Sequence, residues 1–275
     1  MIRIILIVLF LTICSVPARA QSFGEYLGDE SVLYAQTKQV NQFFRRFNGE
    51  ESVSGIRYYE RDSLYRNPNF RHRYLNVLFD LENHSVGEKM RKDFVEQVTK
   101  RNRPNFLNFH APGWFAEVST KFIHHGSEVK VILFLKLEQE NLGYKWVITD
   151  VFYKPFNDLL ASEDDGNMLF LHPMSHELDF MNLIKVFQDK DKIAKYASKG
   201  FKPNYLTLLL YEIKRGNMKF QTVENVKFHF FQVPGWYFEL SDLRRTGYNA
   251  GWLITGLIPI SETEKELLLK YIYHD

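Results

Sequence analysis

The chain has 275 residues, with 35 Lys and Arg against 33 Asp and Glu, and a single cysteine. So even a balance offers no basic face for a nucleic acid and no polybasic stretch for an anionic membrane surface, and no nucleic-acid partner is expected. The lone Cys14 lies in the first twenty residues, so the remainder forms no disulfide, thiolate metal site or cysteine nucleophile.

Those first twenty residues read as an export signal. Arg3 supplies a positive charge, residues 4–13 are apolar except Thr12, and Pro17 precedes Ala18-Arg19-Ala20, which has small residues at the two positions a signal peptidase reads. Cleavage is expected before Gln21. The apolar run is shorter than the roughly 20 residues a bilayer span needs, so the mature chain carries no transmembrane segment. An exported chain of this size without cysteine pairs fits a bacterial periplasm or cell surface. Loss of Arg3 and Arg19 with the leader leaves 33 residues of each sign.

The first lobe, residues 21–155, opens with helices. Val40, Phe43, Phe44 and Phe47 mark one face of a helix over residues 31–48. Pro68 suits the first turn of a second, over 68–81, with Phe70, Tyr74, Val77, Leu78 and Leu81 as its stripe. A third covers 87–101 and aligns Met90, Phe94 and Val98. The period then changes to two. Trp114, Ala116, Val118, Thr120 and Phe122 alternate with Phe115, Glu117, Ser119, Lys121 and Ile123. Past a turn at His125-Gly126, Val129 to Leu137 alternate with Glu128 to Lys136, and a third strand covers 144–153. This is an antiparallel meander with one buried face.

Residues 156–174 read as a linker, and 175–275 as a second, shorter lobe. Helices are expected over 175–188, 191–198 and 204–214, with Phe180, Leu183, Ile184 and Phe187 as the stripe of the first. Strands follow over 225–233, 236–243 and 248–257. Ser261-Glu262-Thr263-Glu264 opens a closing helix, with an oxygen cap and an acidic first turn, that Leu267, Leu268 and Ile272 would pack down.

The halves share a plan. Pro112-Gly113-Trp114-Phe115-Ala116-Glu117 recurs as Pro234-Gly235-Trp236-Tyr237-Phe238-Glu239, and Trp146-Val147-Ile148-Thr149-Asp150 as Trp252-Leu253-Ile254-Thr255-Gly256. The reading is therefore α+β: two tandem lobes, each with helices packed on a curved antiparallel sheet, the second trimmed. Trp114 and Trp236 are expected in equivalent core positions against helices. Helices followed by a meander ending in a Trp-Val-Ile-Thr-Asp-Val strand resemble the nuclear-transport-factor-2-like (cystatin-like) superfamily. The resemblance implies a cone-shaped fold whose members include isomerases, dehydratases, ligand binders and interaction modules, some with a pocket carboxylate as base.

Asp150 is the candidate base. Strand alternation sets it on one face with Trp146, Ile148 and Phe152, where apolar neighbours would raise its pKa. Phe115, Ile132 and Phe134, mixed with Glu117, Lys130 and Lys136, fall opposite the core stripe and form the candidate binding surface, open to a partner or covered by the second half. Glu117 is expected to pair with a lysine across strands. His172 and His176 lack a third ligand, the pair His124-His125 should diverge along its strand, and no metal or cofactor is called for. The function reading is an exported, non-catalytic binding protein for a protein partner or small ligand. An acid–base enzyme or a small-molecule carrier with a pocket in the first lobe are the alternatives.

Overall fold

Apolar residues every second position require strands with two distinct faces, and six strands answer that pattern. The computed structural model describes residues 40–275 except 53, 84, 161–168, 191, 199–200, 202–203, 247–248 and 275. The expected leader, its expected cleavage site and residues 31–39 of the expected opening helix lie outside the described residues. Strands β1 (Trp114–His124), β2 (Ser127–Glu140), β3 (Gly143–Phe152), β4 (Met218–Phe230), β5 (Trp236–Leu243) and β6 (Gly251–Pro259) form one antiparallel sheet in the order β3-β2-β1-β4-β5-β6. The fold is α+β. The two halves contribute three strands each to this one sheet, joined where β1 pairs with β4 from Trp114↔Phe230 to His124↔Met218, and Val40–Asp275 is one compact unit.

Helices α1 (Val40–Asn48), α2 (Pro68–Val77) and α3 (Glu88–Val98) cover one face of the sheet. Phe43, Phe44, Phe47, Leu75, Phe94 and Val98 meet Trp114, Ala116, Phe230, Trp236, Phe238 and Ile254 there. Rings pack edge-on or stacked, such as Phe44 on Trp114 at 4.9 Å and Phe230 on Phe238 at 4.6 Å, arrangements that add to area burial. Both repeated tryptophans are buried on this face against helices. Trp114 Nε1 donates to the Phe109 carbonyl and Trp236 Nε1 to Gln97 on α3.

Helix α4 (Lys154–Leu160) starts at the end of the expected first lobe and runs into the expected linker. Helix α6 (Tyr205–Lys214) closes the far end of the same face, with Leu209 against Phe122, Val131 and Met218. Helix α7 (Glu262–Tyr273) covers the opposite face. It starts in the expected capping box, with Glu264 N donating to Ser261 Oγ and Ser261 N to the Glu264 carboxylate. Ile272, Leu268, Leu269 and Tyr273 point to the sheet, while Leu267 is exposed. The free edge of β6 is paired with residues 78–80, through Asp80 N to Ile254 O and Ile254 N to Leu78 O.

Two helix faces differ from the expected stripes. In α2 the buried positions are Arg71 and Leu75, continued by Leu78, while Phe70, Val77 and Leu81 are exposed. A buried arginine rotates the helix because its head finds partners. Its Nε donates to Phe47 O at 2.8 Å, one terminal nitrogen to Val98 O at 2.9 Å and the other to Asn105 O. In the second half, the expected helix over 175–188 breaks into a 3₁₀ turn (Pro173–Leu178) and a short helix α5 (Leu183–Gln188), because Asp179 and Phe180 take left-handed φ of 48° and 55°. Phe180, Ile184 and Phe187 are consequently exposed and only Val186 of α5 is buried.

Removing the Arg71 head takes a donor from three carbonyls at once, leaving Val98 O with only Asn105 N at 3.0 Å. Arg71→Met should destabilise the protein by about 3 kcal/mol, and Arg71→Lys, which cannot reach all three, should recover only part. Urea unfolding followed by tryptophan fluorescence measures both. A loss under about 0.5 kcal/mol for Arg71→Met contradicts the assignment.

Candidate functional site

The expected binding surface is occupied from within. Phe115 and Phe134 are 3 % and 0 % exposed, and with half-buried Ile132 they pack beneath α7 against Ile272 and Tyr273. Tyr273 lies 5.1 Å from Phe115 and 4.5 Å from Phe134, ring to ring. A sheet face of large apolar side chains attracts the nearest amphipathic element, which here is the chain's own closing helix. Phe115 and Phe134 are thus covered by α7 rather than presented at the surface.

Asp150 does not share a face with Trp146 and Ile148. Phe134 pairs with Asp150 and Leu135 with Ile148, so Thr149 is an extra residue in β3. This β-bulge reverses the alternation beyond it. Asp150 turns to the α7 side with Phe152, half-buried, where its Oδ1 accepts the Val151 amide at 2.7 Å. Trp146 and Ile148 stay on the other face, 40 % exposed each.

Glu117 is half-buried on the α7 face, in register with Lys227, but its carboxylate bonds elsewhere. His229 Nε2 lies 3.0 Å from Glu117 Oε2 and His229 Nδ1 lies 2.8 Å from Tyr237 Oη. Lys227 instead meets Glu239 at 3.2 Å. His229, 2 % exposed and stacked on Phe115 at 4.9 Å, thus joins three neighbouring strands. The sequence signal was a single histidine inside the apolar run Phe228 to Phe231. Burial would by itself raise the Glu117 carboxyl, but the hydrogen bond and charge of His229, aided by Lys227 and His274, hold it below the ordinary carboxylate range. Burial, then the charges of Glu239 and Glu117, push the Tyr237 hydroxyl far up, so it stays a neutral phenol.

An accessible concavity among the described residues lies on the helical side. Helix α1, segments 50–52 and 54–58, which pair across a turn, and the loop 99–110 enclose a cleft of about 660 Å³ lined by Arg45, Arg57, Arg66, Glu50, Asn108 and His110, with Phe44, Phe106 and Phe109 as apolar wall. A neighbouring cleft of about 500 Å³ shares Arg45, Glu50 and Arg57. Both volumes suit a small organic ligand. The turn is fixed by Ser52 N to Ile56 O and Tyr58 N to Glu50 O, each 2.8 Å. Arg45 bonds the buried Glu51 at 2.6 Å and Arg66 bonds Glu50 at 2.6 Å. Arg66 and Arg71 each stand 4.4 Å from the Phe106 ring. Arg57 is exposed, its guanidinium 5.9 Å from the Tyr59 ring. Arg45, Arg57 and Arg66 against Glu50 leave the lining of the larger cleft positive.

His172 and His176 are engaged locally, with His172 Nδ1 accepting from Met174 N and His176 Nδ1 meeting Pro173 O. Among the described residues, no helix is long and apolar enough to cross a membrane. No protein-family model, curated protein or solved structure matches this chain.

Two outcomes test the α7 side. Phe134→Glu should lower stability by roughly 3 kcal/mol or more, because the new charge is buried beneath α7. Chemical denaturation reads this, and an unchanged midpoint would place Phe134 in solvent. Glu117 has a folded pKa below its unfolded value near 4.5. Its contribution is therefore complete above about pH 4.5 and fades as pH falls through the folded value. Glu117→Gln should weaken the protein at neutral pH and flatten the decline of stability on acidification below that point, measured by urea midpoints across the range.

Proposed function

We propose that this protein is an exported, non-catalytic binding protein that holds a small organic anion in the arginine-lined cleft. The observation that carries this reading is the meeting of Arg45, Arg57 and Arg66 with Phe44, Phe106 and Phe109 in one open concavity. Guanidinium groups recognise carboxylate or phosphate by forked hydrogen bonds, and the rings offer a face to a flat or apolar ligand body. Arg45 and Arg66 are held by Glu51 and Glu50, which sets their direction in advance and reduces the ordering cost of binding. Arg57 is the exposed guanidinium between the two clefts and is assigned the primary anion contact.

Export to the periplasm or cell surface is supported by the charge, apolar run and Ala18-Arg19-Ala20 site at the start of the chain. Kinship with the nuclear-transport-factor-2-like superfamily is supported by three helices laid on an antiparallel meander that follows them. Descent from two copies of one plan is supported at two places. Gly113 and Gly235 both take positive φ (93° and 79°), and their carbonyls accept from Phe231 and Ile260 at the end of the neighbouring strand. Thr149 and Thr255 both stand as the extra residue of a bulge, opposite Phe134/Leu135 and Glu239/Leu240.

Isothermal titration with inorganic phosphate, benzoate and adenosine monophosphate tests the cleft. At least one should bind, and Arg57→Ala should weaken it roughly tenfold with no change in fold, since Arg57 is exposed. No binding by any of the three at millimolar concentration, or equal affinity in Arg57→Ala, overturns the assignment.

A further inference from the structure

At the opposite end of β1 the chain gathers three metal-ligating side chains that take no part in the cleft. His124 ends β1, and His125 and Gly126 form the β1–β2 turn with φ of 48° and 85°. Two successive positive φ angles are the mark of a tight hairpin turn. Successive residues in a strand point to opposite faces, but this left-handed turn swings the His125 ring back beside His124, with ring centroids 4.4 Å apart. Glu212 arrives from α6, which packs on this end of the sheet through Leu209. One donor atom from each of His124, His125 and Glu212 lies within 4.8 Å of the other two.

We propose that His124, His125 and Glu212 bind a divalent transition-metal ion of the zinc class. His124 Nε2 lies 3.5 Å from Glu212 Oε2, close to the roughly 3.3 Å edge of a tetrahedron whose ligands stand about 2.0–2.1 Å from zinc. That nitrogen is buried and has no hydrogen-bond partner among the described residues, a costly state that a metal would relieve. The supporting contacts suit ligation. His124 Nδ1 meets Tyr153 Oη at 2.9 Å, so a proton on Nδ1 donated to Tyr153 leaves the Nε2 lone pair aimed at the site. Asn217 Nδ2 donates to Glu212 Oε2 at 2.9 Å, and its carbonyl accepts from His125 N at 3.0 Å, tying carboxylate and turn together. Two imidazoles and a carboxylate suit zinc or its borderline neighbours rather than calcium or magnesium, which take oxygen ligands. Exposed His125 can rotate to close the triangle, and a fourth position remains for water or an incoming ligand.

The full-length chain, without an affinity histidine tag and stripped with chelator, is titrated with ZnCl₂ by calorimetry. One ion should bind per chain. His125→Asn keeps a residue that tolerates the left-handed turn, so it should fold and melt normally yet bind zinc roughly tenfold or more weaker, as should Glu212→Gln. Tyr153→Phe should weaken binding about 10- to 100-fold, as loss of an orienting contact does. His176→Ala should change nothing. Saturating zinc should raise the melting temperature of the unaltered chain and leave that of His125→Asn in place. Absence of a one-to-one site, or undiminished zinc affinity in His125→Asn and Glu212→Gln, overturns the proposal.

Discussion

The buried guanidinium of Arg71 is the constraint on which the helical side depends. At 1 % exposure its hydrogen-bond partners among the described residues are the carbonyls of Phe47, Val98 and Asn105, with no carboxylate among them. Phe47 and Val98 stand at the C-terminal ends of α1 and α3, where unpaired carbonyls concentrate negative charge. One cation therefore satisfies two helix ends and a loop. Burial, with Arg66 nearby, pushes its pKa down to about 10, which still leaves it charged at neutral pH. Asn48 continues the clamp, exchanging two hydrogen bonds of 2.8 Å with the backbone of Leu107. The loop so fixed carries Phe106, Asn108, Phe109 and His110, so the cleft wall inherits its position from Arg71.

The other face of the sheet is organised by the Glu117–His229–Tyr237 chain. Its members come from β1, β4 and β5, so its hydrogen bonds are complete only when the two halves pair in the observed register. A one-residue slip at the β1–β4 seam would place His229 on the helical face among Phe44, Trp114 and Phe238, with no acceptor. The apolar side chains around it fill volume without choosing a register so sharply. This polar chain supplies specificity at the seam, and α7 then seals it.

Periodicity made the strands legible, because half-buried antiparallel strands alternate and these alternate over long runs. The capping box at Ser261 and the tryptophan positions were legible for the same local reason. What escaped were features that obey distant partners. Arg71 lies on the buried stripe of α2 with Leu75 and Leu78, and only the carbonyls of two other helices make that tolerable. The bulge at Thr149 inverts the facing of Asp150, and no residue in Trp146–Asp150 announces an insertion; its recurrence at Thr255 becomes visible only with the pairing in view. His124 and His125 were expected to diverge because strand geometry was extended one residue too far, into a left-handed turn. Phe115 and Phe134 were placed on the correct face, but a strand pattern does not say which element will cover it.

Strand β1 separates the proposed anion cleft from the proposed metal site. It runs eleven residues, from Trp114 beside Phe109 and the cleft wall to His124 at the far hairpin. At about 3.3 Å per residue its ends lie roughly 35 Å apart, well beyond the reach of one small ligand. The strand is paired with β4 along this length and with β2 from Ala116 onward, so it is a rigid spacer rather than a moving part. A metal at His124, His125 and Glu212 would therefore act where it sits, fastening α6 to the β1–β2 hairpin. An anion in the cleft would meet a wall positioned by Arg71 and Asn48, so occupancy of either site should leave affinity at the other unchanged.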